Sequence, residues 1–357
     1  MPKAGVIRST LEALDWCCRK ADSKTLKKLA FSVGSRVGTT KSAIRESILD
    51  QCGILSQLAA VRTRRGNLDI TAVDLGLENF AYSRFSWAAG EDIPRLTKWD
   101  KIRLDGAFID SKMQKMQFTP KHMTLLAQKL TEVLTMCSTD AFVIERQRTR
   151  TMGSANVPDP ILKVNALEYS LYAFLHCKML YSGSAKTLDR QLDYIVESSD
   201  PKKMTEYWCN SIPVEKLLDP ARGAGSPKAK LKPNSSALSK MLKITLVKSM
   251  LLERKTPKFE ISGSLNSSLS SLVPAKKFSL FELLGLGETA GKSKEDDLAD
   301  SLLHGLAWLQ WTKTFEELKN VIDLPRPDTE ALKDFKQFVE GKSQELNKYS
   351  KSCISRL

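Results

Sequence analysis

Apolar positions recur at helical spacing from the start of the chain. Leu11, Leu14 and Ala21 precede a second run over 25–31, which Gly34 and Gly38 interrupt. Ile44, Ile48 and Leu55 then resume the pattern, with Thr39 or Thr40 as N-cap. Helices are therefore predicted between Ser9 and Leu58. At Leu68 the period changes. Residues 69–76 form a β-branched apolar run ending in Asp74 and Gly76, 79–85 alternate as an antiparallel partner, and 96–104 supply a third strand. Further on, 121–136 predict a helix, 141–145 a buried strand, 161–180 a long apolar-faced helix and 192–196 a short strand. A Gly-, Pro-, Ser- and Lys-rich stretch over 221–236 predicts a mobile loop. After it come a basic amphipathic helix over 238–254, a Ser-rich spacer over 263–271 and a strong helix from Lys294 to Trp311. Charged terminal helices complete the chain.

A chain of 357 residues suggests two domains. The pattern divides it into a helical module over 1–60, a basic turn-like linker over 61–67, an α/β domain over 68–313 and a helical extension over 314–357. The α/β domain carries a variable basic insertion at 211–292. No stretch reaches the roughly 18 consecutive apolar residues of a membrane span. Seven cysteines, adjacent only at Cys17 and Cys18, form no disulfide framework, and His122, His176 and His304 are too scattered for a His-rich zinc site. The 55 Lys and Arg against 41 Asp and Glu leave a net charge of +14, which favours a polyanionic partner: nucleic acid first, an anionic membrane surface second.

Three acidic signals have the right positions for chemistry. Asp74 stands near the end of the first core strand, Glu145 ends the second buried strand, and Asp297 and Asp300 share a helix face, with Asp296 adjacent. Carboxylates at strand ends point to the edge where α/β folds bind ligands. Brought together, they cannot all stay ionised without divalent cations, and oxygen-only ligands favour Mg²⁺ or Mn²⁺. Two such ions about 3.5–4 Å apart would stabilise an in-line phosphodiester displacement. Each acid also has a structural reading: Asp74 as a turn former, Glu145 as half of a surface ion pair, the helical acids as partners of the helix dipole. The order of strand-Asp, antiparallel strand, strand-Glu and later helix with Asp-x-x-Asp is what favours the nuclease site.

Four blocks carry a family resemblance: Ala72-Val73-Asp74-Leu75-Gly76 with Asn79-Phe80-Ala81, Ile144-Glu145-Arg146-Gln147-Arg148-Thr149-Arg150-Thr151-Met152, Asp159 to Asn165, and Asp296-Asp297-Leu298-Ala299-Asp300-Ser301. They closely resemble the fungal mitochondrial cruciform-cutting endonucleases, Holliday-junction resolvases of the RNase H-like superfamily related to bacterial RuvC. The likeness is weakest over 211–292. It implies an α/β fold with an RNase H-like mixed five-stranded sheet flanked by helices. It also implies a homodimer, each subunit nicking one of two opposed strands of four-way junction DNA with two Mg²⁺ or Mn²⁺ per active site, and a mitochondrial location. Carried over by position, Asp74, Glu145, Asp297 and Asp300 are catalytic metal ligands, although Asp296 competes with Asp297 for that role.

The basic residues fit the same picture. Arg146, Gln147, Arg148 and Arg150 follow the catalytic strand, where they would grip phosphates or the crossover, and Lys294 would steady the scissile phosphate. Surface solvation is the alternative for each. The start of the chain, Leu-Lys-Lys-Leu over 26–29, Gly34, then Gly38 to Lys41 and the Ile44/Ile48 face, resembles the small DNA-binding module called SAP, with Lys27 and Lys41 as its DNA contacts. A plain helical hairpin fits equally well. Helix 161–180 is expected at a dimer contact, and His304 is expected to be packed or hydrogen-bonded. Gly285 to Ser293 mimics a phosphate-binding loop but places Leu286 where glycine is required. Met1 to Thr10 carries Lys3 and Arg8 without an acid, as a transit peptide would, yet Glu12, Asp15 and Asp22 follow closely. Two other functions remain open on the same scaffold: a nuclease for RNA–DNA hybrids and a junction-binding protein without chemistry.

Overall fold

The computed structural model describes residues 9–104, 119–147, 149, 158–182, 194–209, 212, 236–261, 263–272, 278–286, 295–323 and 328–354. Its elements, in chain order, are α1 (Thr10–Lys20), α2 (Ser23–Ser32), α3 (Lys41–Arg65), β1 (Asn67–Leu75), β2 (Asn79–Ala88), β3 (Arg95–Arg103), α4 (Pro120–Thr135), β4 (Ala141–Glu145) and α5 (Asp159–Ser182). They continue with β5 (Ile195–Ser199), α6 (Pro201–Cys209), α7 (Ser236–Leu252), β6 (Glu260–Ile261), α8 (Gly263–Leu272), α9 (Leu280–Leu283), α10 (Glu295–Ile322) and α11 (Asp328–Ile354). The chain divides into two compact units: Met1–Arg65, Lys202–Glu253 and Leu306–Leu357 form one, Gly66–Pro201 and Arg254–Gly305 the other.

The first unit is helical. Ser9 and Glu12 close a capping box on α1, Asp22 caps α2, and the Thr40 hydroxyl accepts from the Ala43 amide at 3.1 Å to start α3. Ile44, Ile48, Cys52 and Leu55 bury one stripe of α3, and Arg45 pairs with Asp15 of α1. Gly34 turns the chain at φ 72°, and a Cβ there would lie 2.3 Å from the Trp311 ring, so no larger residue fits. The expected turn-like linker is instead the last turn of α3, which runs through Arg65; helix propensity and the Arg62–Glu316 pair at 3.0 Å outweigh the turn signal, and the break waits for Gly66 at φ 72°.

The second unit is built on a mixed sheet in the order β5-β4-β1-β2-β3-β6. The strands β1, β2 and β3 pair antiparallel, while β4 lies parallel to β1 and β5 parallel to β4. The expected mixed sheet is present, with one strand more than the five expected. The addition, β6, is two residues lying parallel to Arg95 and Leu96, too short for any periodicity to announce. Alternation within β1, β2 and β4 sends Val73, Leu75, Phe80, Tyr82, Phe142 and Ile144 into one apolar core with Leu126 and Leu130 of α4 and Leu167, Leu171 and Leu175 of α5. Ala72 and Phe85 belong to the opposite face, where they meet Gly305 of α10.

Three further expectations are corrected. The short strand lies at Ile195–Ser199 and not at 192–196, because its ladder with β4 continues to Glu145 opposite Ser199. The Ser-rich spacer is the helix α8: buried Leu269 anchors it, and its serines bond back to helix carbonyls, as Ser267 does to Gly263 at 2.9 Å. The acidic helix passes Trp311 and runs to Ile322, since Phe315, Leu318 and Ile322 continue its buried stripe. Of the expected mobile loop over 221–236, all but Ser236, which begins α7, lies outside the described residues.

Candidate active site

Strand pairing sets one row of residues across the sheet. Lys101 on β3 stands opposite Ala81 on β2, and Ala81 opposite Asp74 on β1. One step beyond the Val73–Ile144 pair comes Glu145 on β4, which stands opposite Ser199 on β5. Above this row runs the start of α10, whose Asp297, Asp300 and His304 follow at helical spacing and so share a face.

Each of the three meets a different part of the row. Asp297 Oδ2 lies 2.8 Å from the Lys101 ammonium, whose side chain is 1% exposed. Asp300 joins Asp74 and Glu145 in a triad whose ligand oxygens all lie within 4.8 Å of one another. His304, fully buried, lies 2.7 Å by Nδ1 from the Ser199 hydroxyl and 3.6 Å by Nε2 from Glu145. The backbone of α10 is tied down as well: the Ser83 hydroxyl donates to the Ser301 carbonyl at 2.9 Å and the Trp99 indole to the Leu298 carbonyl at 3.1 Å. A rigid helix over a rigid sheet fixes carboxylate positions better than loops would.

The electrostatics of the triad call for a cation. Packing around Asp74 strips water from its carboxyl, and the negative charges of Glu145, Asp300 and Asp297 add to that, so its pKa rises well above the usual aspartate value of 3.8. The ligand set is carboxylate oxygen alone, which suits a hard divalent cation such as Mg²⁺ or Mn²⁺. The triad thus fits a hard divalent cation.

Of the sequence-predicted residues, Asp74, Glu145 and Asp300 come together, while Asp297 stands outside the triad in its ion pair with Lys101, and Asp296 is buried beside it. Arg146 leaves the end of β4 with its guanidinium 2.6 Å from Asp200 and its amide bonded to the Ser199 carbonyl. The Gln147 amide donates to Glu168 Oε2 at 3.3 Å; burial raises the Glu168 pKa, which that bond partly offsets. Arg148, Arg150 and Lys294 lie outside the described residues. Lys27, exposed on α2, and Lys41, whose Nζ donates to the Arg19 carbonyl at 2.8 Å, belong to the helical unit. Sequence reasoning missed Lys101 and Ser199. The one available signal for Lys101 was its place two residues beyond Trp99 on an alternating strand, which puts both on the same buried face.

A family model described as mitochondrial resolvase Ydc2 / RNA splicing MRS1 matches residues 70–318. The mitochondrial cruciform cutting endonuclease 1 of Saccharomyces cerevisiae is 37% identical over 94% of this chain and 95% of its own. The mitochondrial RNA-splicing protein MRS1 of the same organism is 24% identical over 97% of this chain and 95% of its own. Among solved structures, the yeast mitochondrial Holliday junction resolvase Ydc2 aligns with a TM-score of 0.49 at 18% identity, over 84% of this chain and 98% of that one.

Proposed function

This chain belongs to the mitochondrial resolvase Ydc2 / RNA-splicing MRS1 family, and from that premise we propose that it is a structure-selective endonuclease that resolves four-way DNA junctions by paired nicks in mitochondrial DNA. The observation that carries this reading is the triad of Asp74, Glu145 and Asp300 drawn from two adjacent strands and one helix. When bound, Mg²⁺ or Mn²⁺, two per site, supplies the positive charge that favours the attacking and leaving oxygens of a phosphodiester displacement. The chain's own part is positional. The sheet row fixes Asp74 and Glu145, α10 carries Asp300 over them, and the Ser199–His304 bond holds the imidazole against Glu145. Asp297 and Lys294 complete the proposed site. Arg146, Gln147, Arg148 and Arg150, which follow Glu145 in the sequence, would take the phosphates flanking the cut, and Lys27 and Lys41 of the helical unit would contact DNA.

Paired nicking needs two sites. The helix α5 leaves Leu162, Tyr169, Leu180 and Tyr181 exposed, a stretch of large apolar side chains suited to a second copy of the chain. The family also holds proteins named for RNA splicing. A protein confined to binding nucleic acid has no need of a carboxylate cluster that burial and like charge destabilise, so the triad favours hydrolysis.

The test is titration of the purified protein with a synthetic four-way junction and Mg²⁺, scoring symmetric paired nicks, with duplex and RNA–DNA hybrid as competitors. Asp74→Asn and Glu145→Gln should abolish nicking while junction binding survives and weakens steeply with salt. Near-normal cutting by Asp74→Asn would sink the site, and preference for the hybrid would sink the substrate.

A further inference from the structure

Lys101 is a buried ammonium with a specific hold. It pairs with Asp297 at 2.8 Å, and its Nζ lies 5.1 Å from the centroid of the Phe281 ring, a second favourable partner for a desolvated cation. Its place is fixed by pairing: it shares the sheet row of Asp74 and Glu145, separated from Asp74 only by Ala81. Asp297 sits one helical turn before Asp300, close enough that its charge is felt at Asp74, yet its carboxylate is not among the triad's clustered oxygens.

An ammonium and a divalent cation compete for the same carboxylate. Asp297 paired to Lys101 is neutralised, and breaking a buried ion pair by removing one partner is strongly unfavourable. Asp297 also stands in the first turn of α10, where the helix dipole favours a carboxylate. We infer that Lys101 is a positioning residue that withholds Asp297 from the triad, so that the DNA-free protein offers a site for one divalent cation, and a second cation gains Asp297 only by displacing the lysine. The inference rests on the cation role proposed above and adds an order to it: the triad loads first, and the second site opens when negative charge from a bound phosphodiester draws Lys101 away from Asp297.

The test counts Mn²⁺ bound to the full-length protein without DNA, by calorimetry and electron paramagnetic resonance. The wild type should bind one ion firmly. Lys101→Met, which keeps the stem and removes the charge, should bind the second ion about ten- to a hundredfold more tightly. Asp297→Asn should leave the first ion's affinity within about threefold, whereas Asp300→Asn should remove it. The double variant Lys101→Met/Asp297→Asn removes both members of the ion pair and should return to one ion, which separates a lost ligand from a damaged fold. Lys101→Arg should restore the wild-type count. Two tight ions in the wild type, no gain in Lys101→Met, or loss of the first ion in Asp297→Asn would each overturn the inference. Should Lys101→Met prove too unstable to titrate, the Asp297→Asn and double-variant results decide alone. If Asp74→Asn binds the first ion as the wild type does, the triad itself is the wrong site, a failure distinct from that of the lysine.

Discussion

The two faces of the central sheet use the same strands for opposite purposes. On the α4 and α5 face, Val73, Leu75, Phe80, Phe142 and Ile144 are buried among leucines, and side chains there need only shape and volume. On the α10 face, neighbouring positions of the same strands carry Asp74, Glu145, Ser199 and Lys101, and each finds a charged or polar partner. A strand alternates its side chains, so one register error would exchange the two faces. The apolar face therefore fixes the register on which the geometry of the charged face depends. Stability and chemistry are separable by residue here, though not by element.

Four substitutions test that separation. The largest effect falls on chemistry: Asp74→Asn should lower the nicking rate by about 10³-fold or more, with folding intact. The pH dependence should change as well. Because the Asp74 pKa is raised in the folded protein, its favourable contribution is full below the unfolded value near 3.8 and is lost as pH rises through the raised folded value. The metal-free protein should thus melt at lower temperature as pH rises. Asp74→Asn should flatten that slope, and saturating Mg²⁺ should restore the lost stability; denaturation at several pH values, with and without the ion, measures both.

Phe142→Ala, on the other face, should cost about 3–5 kcal/mol of stability. Where the protein remains folded, its Mn²⁺ affinity should be unchanged. Gly305→Ala falls between the two. A Cβ there would lie 2.8 Å from the Phe85 ring and 3.2 Å from the Ala72 Cβ, so α10 must lift or Phe85 must turn. We expect about 1–3 kcal/mol of destabilisation and a loss of activity larger than that figure explains, since α10 carries Asp300. Ser199→Ala removes one buried hydrogen bond to His304 and should cost about 1 kcal/mol, with a small change in nicking rate. If Phe142→Ala abolished metal binding in the folded protein, or Gly305→Ala spared activity, the faces would not be separable.

Much of this was legible because it is local. The β-branched run of β1, the alternation of β2, the apolar run of β4 and the helical stripe of α10 are properties of contiguous residues, and Asp74, Glu145, Asp297 and Asp300 could be placed on elements from them. The Thr40 cap and the break at Gly34 were local as well. The serines of α8 misled because Ser favours turns when seen alone, whereas Leu269 and bonds back to the helix carbonyls hold them in a helix. The two residues of β6 are a strand only because Arg95 and Leu96 lie beside them.

The sequence by itself determined which elements carry acids, which end of each strand they occupy and that the chain favours a polyanion. The tertiary structure alone decided which side chains meet. That Ala81 separates Lys101 from Asp74, that Asp297 turns to the lysine while Asp300 joins the triad, and that His304 reaches Ser199 all follow from strand order and register. Those are set by pairing between segments that lie from a few residues to about two hundred apart, and the register of such pairing leaves no periodic trace in either partner.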